Sequence, residues 1–135
     1  MKDMHNNISV VHGITPQAVG TTGAAGGKLS AVVDRKGFEA VEFLYSSGAS
    51  ASVADTITPV LLENDSSTTT TFTSVAAADL LGAETALTLT AAKSGKVGYR
   101  GSKRYVRARL YGVGTATAIV AGTFVLGNPH LAPTS

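Results

Sequence analysis

From Lys103 to Tyr111 the chain alternates residue by residue: Arg104, Val106, Ala108 and Leu110 share one face, and Lys103, Tyr105, Arg107, Arg109 and Tyr111 the other. Successive side chains of a pleated strand point to opposite sides, so a period of two marks a half-buried strand. Phe38–Tyr45 repeats the pattern, with Val41, Phe43 and Tyr45 opposed to Ala40, Glu42 and Leu44. Thr85–Thr90 turns Leu87 and Leu89 inward, and Leu29–Val33 and Ile57–Leu62 read as further strands. Pro59 has no N–H for a ladder, which confines its strand to an edge or a bulge. Thr68–Thr73 is β-branched and reads as extended. Thr115–Leu126 is apolar on both faces and reads as a central strand.

Turn chemistry separates these runs. Asp34–Gly37 and Asn64–Ser67 are polar turns. Lys93–Gly98 reads as a basic, glycine-punctuated turn, Gly112 and Gly114 bracket a hairpin turn, and Gly127–Pro129 stops the last strand. Val75–Leu81 is the one helical hint, ended by Gly82. Seven or eight short strands in 135 residues predict a single all-β domain, an antiparallel β-sandwich or jelly-roll-like fold. Only 15% of the residues are charged, against about 25% in typical domains. Long charged helix formers are therefore scarce. The sandwich is expected over residues 28–135. Residues 1–27, with Pro16, Gly20, Gly23, Gly26 and Gly27, read as an extended, flexible N-terminal arm containing at most a short strand at Ile8–Val11.

Cysteine is absent, so disulfides and thiolate metal sites are excluded. Met1–Val11 lacks the apolar run of a signal peptide, and no apolar stretch reaches the length of a spanning helix; no membrane association is expected. His5, His12 and His130 lie near the ends of the chain and read as solvated rather than as ligands. Asp55, Glu63, Asp65 and Asp79 match no calcium loop. Thr22–Leu29 contains Gly27-Lys28, but Thr22 replaces the first glycine of a phosphate loop and Leu29 its hydroxyl residue. No Gly-x-Ser-x-Gly elbow occurs. Neither a catalytic centre nor a cofactor is expected.

Charge is segregated. Residues 1–84 hold four cations and all nine acids, a balance of −5, whereas residues 85–135 hold seven cations and no acid. The basic segment could bind nucleic acid, pair with the acidic part of its own fold, or pair with an acidic patch on a neighbour. Lys103, Arg104, Tyr105, Arg107, Arg109 and Tyr111 form the candidate interface. Glu39, Glu42 and Glu63 are available partners. Structural or intersubunit pairing is preferred over nucleic acid, because long arginine stems cover apolar surface while their heads meet carboxylates.

The phrases Thr58–Ser67, Phe72–Val75, Asp79–Gly82, Val97–Arg107 and Val125–Pro133 resemble small proteins of tailed bacteriophages and prophages, encoded among the head genes near the major capsid protein. The resemblance covers roughly residues 38–133. It departs at Phe72, where a tryptophan is expected, and it leaves out the N-terminal arm. It implies a virion component on the capsid exterior, assembled in the host cytoplasm: a decoration (cement) protein contacting the major capsid protein and copies of itself. The base of a head spike or fibre at the capsid vertex is the alternative within that class. A carbohydrate-binding sandwich for host attachment is a rival outside it, although the chain has no tryptophan and only four tyrosines.

Overall fold

The computed structural model describes residues 3–20, 23, 26–50, 54–114 and 118–131. Eleven strands occur among them: β1 (Ile8–Ala18), β2 (Lys28–Leu29), β3 (Val33–Asp34), β4 (Phe38–Ser47), β5 (Thr56–Asn64), β6 (Thr73–Ser74), β7 (Leu80–Leu81), β8 (Leu87–Thr88), β9 (Lys93–Tyr99), β10 (Tyr105–Val113) and β11 (Ile119–Pro129). One sheet has the order β1-β11-β4-β9-β7. The other has the order β2-β10-β5-β6, with β3 also on β10 and β8 on β5. Every pairing is antiparallel. The two sheets pack face to face as a β-sandwich.

The alternation read from the sequence becomes the core. Val41, Phe43 and Tyr45 of β4, Val97 and Tyr99 of β9, and Val120, Phe124 and Leu126 of β11 come from one sheet. Ile57 and Leu61 of β5 and Val106, Ala108 and Leu110 of β10 come from the other. Phe43 stacks on Tyr45 and meets Phe124, with ring centroids 5.9 and 4.9 Å away. Full burial of one such large apolar side chain contributes about 1.5–3 kcal/mol.

Residues 8–19 belong to the sandwich, which corrects the expectation of an arm ending at residue 27. β1 pairs with β11 from Ile8↔Gly127 to Ala18↔Ile119, and Ile14 and Val19 are buried. Register shifts between His12 and Ile14 and between Ile14 and Gln17 break the period-two pattern, which hides this strand from a sequence reading. Gly13 is there for close approach: a Cβ would stand 2.7 Å from Gly122 O. Gly27 has φ +105°, and its Cβ would meet Leu110 O at 2.5 Å. Residues 21–22 and 24–25 of the Gly-rich segment lie outside the described residues, as do 115–117 at the start of the Thr115–Leu126 run.

Other expectations change as well. Lys93–Gly98 is strand, paired with β4 from Val41↔Tyr99 to Ser47↔Lys93, because Gly95 sits over the Tyr45 ring where any Cβ would come within 2.5 Å. Gly112 and Gly114 close no hairpin, since β10 and β11 lie in different sheets. Leu29–Val33 is split into β2 and β3 around Ser30. Thr69–Thr71 forms a 3-10 turn, and the helical hint shrinks to another at Ala77–Asp79. Pro59 occupies the position its chemistry requires. β8 pairs with β5 at Thr56–Ile57 and β6 at Leu62–Glu63, which leaves this edge open between them. The alternation that turns Leu61 N–H and C=O to that edge turns Pro59 there too.

Candidate functional site

The candidate site is built on β10. With Val106, Ala108 and Leu110 in the core, Tyr105, Arg107, Arg109 and Tyr111 stand on the outer face of the six-stranded sheet, all half-buried. Their cross-strand neighbours are mostly apolar: Arg107 lies opposite Leu62, and Arg109 between Val60 and Leu29. Tyr111 lies opposite Thr58, and Tyr105 between Asn64 and Asp34. The arginine stems thus cover apolar surface, as their length allows.

Ser30 organises one side of this face. It interrupts the ladder between β2 and β3, exchanges N–H and hydroxyl bonds with Ala108, and presents its carbonyl to Arg107 Nη2 at 2.8 Å. The Arg107 guanidinium also lies 5.7 Å from the Phe72 ring centroid. Burial pushes its pKa down from the usual arginine value. The Nε atoms of both Arg107 and Arg109 are buried without a hydrogen-bond partner, and Arg109 has no ion pair among the described residues. Burying a donor of a charged group without an acceptor is costly.

Lys103 and Arg104 behave differently, because the acidic half of the same chain takes them. Lys103 Nζ meets Asp65 Oδ2 at 2.5 Å, and Arg104 grips Asp34 bidentately at 2.9 and 2.7 Å. Arg104 precedes the strand and is about half exposed, so it does not join the Val106 face. The Arg104 guanidinium holds the Asp34 carboxyl below the usual aspartate range. The carboxylates expected to meet the strand arginines go elsewhere. Glu63 accepts from the Tyr99 hydroxyl, and Glu39 accepts from Asn128 and faces His130 at 3.5 Å. Glu42 lies opposite Val125 and Gly98 in the other sheet, where burial raises its pKa and Lys96 partly offsets that.

Arg35 was legible only as a turn residue, yet it holds the approach to β10. It donates to Lys103 O and Gly101 O and lies 5.4 Å from the Tyr99 ring centroid. A shallow groove of about 640 Å³ runs over the outer face of the five-stranded sheet, lined among others by Val10, Leu44, Lys96, Thr123 and Val125. Its aromatic member, Tyr45, is buried and gives its hydroxyl to Thr85 O. Among the described residues, no group of three His, Cys, Asp or Glu side chains could hold a metal ion, and no helix is long and apolar enough to cross a membrane.

The class defined by these observations is an antiparallel β-sandwich with a cationic, aromatic outer sheet face. No family model matches the chain, and no curated protein matches it. Among solved structures it is similar to the Clostridium thermocellum N-terminal endo-1,4-beta-D-xylanase 10B, CBM22-1 and GH10 modules, complexed with xylohexaose. Identity is 11%, the match covers 97% of this chain and 28% of that chain, and the TM-score is 0.44. A likeness so distant carries no functional argument.

Proposed function

We propose that this protein is a non-catalytic assembly protein that decorates or cements a tailed-phage capsid, with the outer face of β10 as its contact surface. One observation carries the reading. Arg107 and Arg109 stand half-buried among apolar side chains on the outer sheet face, and among the described residues no carboxylate pairs with either. The buried Nε atoms are closed to a partner, but beyond the Arg107 Nη2 bond to Ser30 O the Nη groups can donate to a partner's carboxylate or carbonyl, and such charge-assisted bonds suit an interface. Tyr105 and Tyr111 flank the pair as amphipathic contact area. The resemblance of residues 38–133 to phage head proteins supplies the kind of partner: the major capsid protein or another copy of this chain.

The carbohydrate reading has less support, because the groove on the five-stranded sheet offers no exposed aromatic platform. The proposal is tested on purified phage particles by mass spectrometry and icosahedral reconstruction. The protein is expected on the outer shell. Arg107→Gln with Arg109→Gln is expected to abolish occupancy while the isolated protein stays folded. Absence of the protein from purified particles would overturn the assignment.

A further inference from the structure

A second cationic site adjoins one end of the β10 face, where Arg104 lies 5.1 Å from the Tyr105 ring centroid. The turn between β3 and β4, the connection between β9 and β10, and the residues after β11 meet around a hollow of about 520 Å³. Arg35, Lys36, Arg100, Ser102, Arg104 and His130 line it, together with the Glu39 carboxylate. Four are permanent cations. Two carboxylates stand against them: Asp34 holds Arg104, and Glu39, in the lining itself, accepts from Asn128 and faces His130, which leaves a cationic excess around the hollow.

Three of the cations are held in place by the fold. Arg35 is fixed by Lys103 O and Gly101 O and by the Tyr99 ring beneath it. Arg104 is fixed by the Asp34 fork, and Arg100 by Ala78 O at 2.9 Å. Among the described residues, these bonds leave Nη1 of Arg35 and Arg104 and both Nη atoms of Arg100 without an acceptor. The Lys36 ammonium has no partner among the described residues. The loop comes down onto Tyr99 because residue 101 is glycine: a Cβ there would lie 2.5 Å from the Tyr99 hydroxyl oxygen. His130 N–H, bonded to Gly37 O at 2.8 Å, closes the opposite wall.

We propose that this hollow binds a phosphate or sulfate ester. A carboxylate has two oxygens in one plane, and a single guanidinium fork satisfies it. Cations on two separate chain segments, Arg35 and Lys36 before β4 and Arg100 and Arg104 before β10, can meet a tetrahedral oxyanion whose oxygens point in several directions. Arg35 and Arg100, held by backbone carbonyls, and Arg104, held by Asp34, lose little freedom on binding, so the attraction is not spent on ordering them. The hollow is larger than one oxyanion requires, which leaves room for the group esterified to it.

The test is an amide-resolved NMR titration of the full chain at constant ionic strength. The probes are inorganic phosphate, inorganic sulfate, glucose 6-phosphate and glucose 6-sulfate, with chloride as control. Saturable shifts are expected at the amides of Gly37, Gly101, Ser102 and His130. Lys36→Ala with Arg100→Ala should weaken binding about tenfold, the loss expected when charge-assisted bonds are removed. Lys36→Ala alone, which removes a side chain with no partner among the described residues, should weaken it in the same direction. Arg107→Gln with Arg109→Gln should leave the affinity unchanged, which separates this site from the β10 face. The preferred ester distinguishes phosphate from sulfate chemistry. Shifts no larger than those from chloride, or full affinity in the double variant, would overturn the site. Equal affinity for esters and inorganic ions would overturn the ester assignment.

Discussion

The Tyr99 hydroxyl on β9 donates to Glu63 Oε2 on β5 at 2.5 Å, a hydrogen bond that ties one sheet of the sandwich to the other. The same oxygen accepts from Lys103 N–H at 2.9 Å, so it also holds the approach to β10. Burial and the Glu63 carboxylate raise the Tyr99 pKa far above that of a free phenol, which keeps the hydroxyl protonated as a donor at physiological pH. Tyr99→Phe keeps the ring under Arg35 but leaves Glu63 and the Lys103 amide without this partner. A loss of about 1–3 kcal/mol is expected in urea unfolding. A loss below about 0.5 kcal/mol would show that the bond adds nothing.

A second prediction concerns the open edge of β5. Leu61 N–H faces the stretch that neither β6 nor β8 covers, and Glu84 Oε1 accepts from it at 2.7 Å. Removing that acceptor leaves a backbone donor unpaired beside the core. Glu84→Ala is expected to cost about 1–3 kcal/mol, and Glu84→Gln, whose amide oxygen still accepts, less than half of that. Equilibrium denaturation of the two variants side by side decides this. Equal losses would show that charge, not the hydrogen bond, is what matters at Glu84.

Gly122 sets the packing under β11. A Cβ there would lie 2.5 Å from Phe43 Cζ, the ring that meets Phe124 and Tyr45. Gly122→Ala therefore overpacks the core, with an expected cost of about 1–3 kcal/mol. Phe43→Leu should recover part of that cost when combined with it, and a double-mutant cycle reads the coupling. Strict additivity would place the strain elsewhere.

The Asp34–Arg104 pair gives stability a pH dependence. Its folded pKa lies below the usual 3.8, so the pair stabilises the fold above about pH 4. That contribution disappears as pH falls through the lowered folded value. Both side chains are 40–48% exposed, so the effect is modest and should weaken with salt. Melting temperature followed from pH 6 to pH 2 should fall less steeply in Asp34→Asn than in the parent protein. Parallel curves would exclude the pair as the source.

Strand identity was readable where burial is one-sided and unbroken. β10 and β4 show their faces residue by residue because each has one side on the core and one outside. β1 was not readable, because its register shifts destroy the period and its glycine looks like slack while it serves close packing against Gly122. The sequence of β9 reads as a turn because its Gly95 and Gly98 look like turn residues, whereas they stand where larger side chains would collide with Tyr45 and Leu81. Of the six candidate interface residues, the sequence grouped all on one segment. It could not separate Lys103 and Arg104, which pair with carboxylates of the same chain, from Arg107 and Arg109, which have no ion pair among the described residues.

The sequence by itself determined an all-β chain, the core faces of its clearest strands, and the segregation of its charge. These follow from side-chain alternation and composition, which are local properties. Only the tertiary structure decided that Ile8–Ala18 lies beside Ile119–Pro129, that β10 and β11 part into different sheets, and which carboxylate meets which cation. Those outcomes depend on hydrogen-bonded register and close backbone approach between residues far apart in the chain. No window of sequence contains both partners.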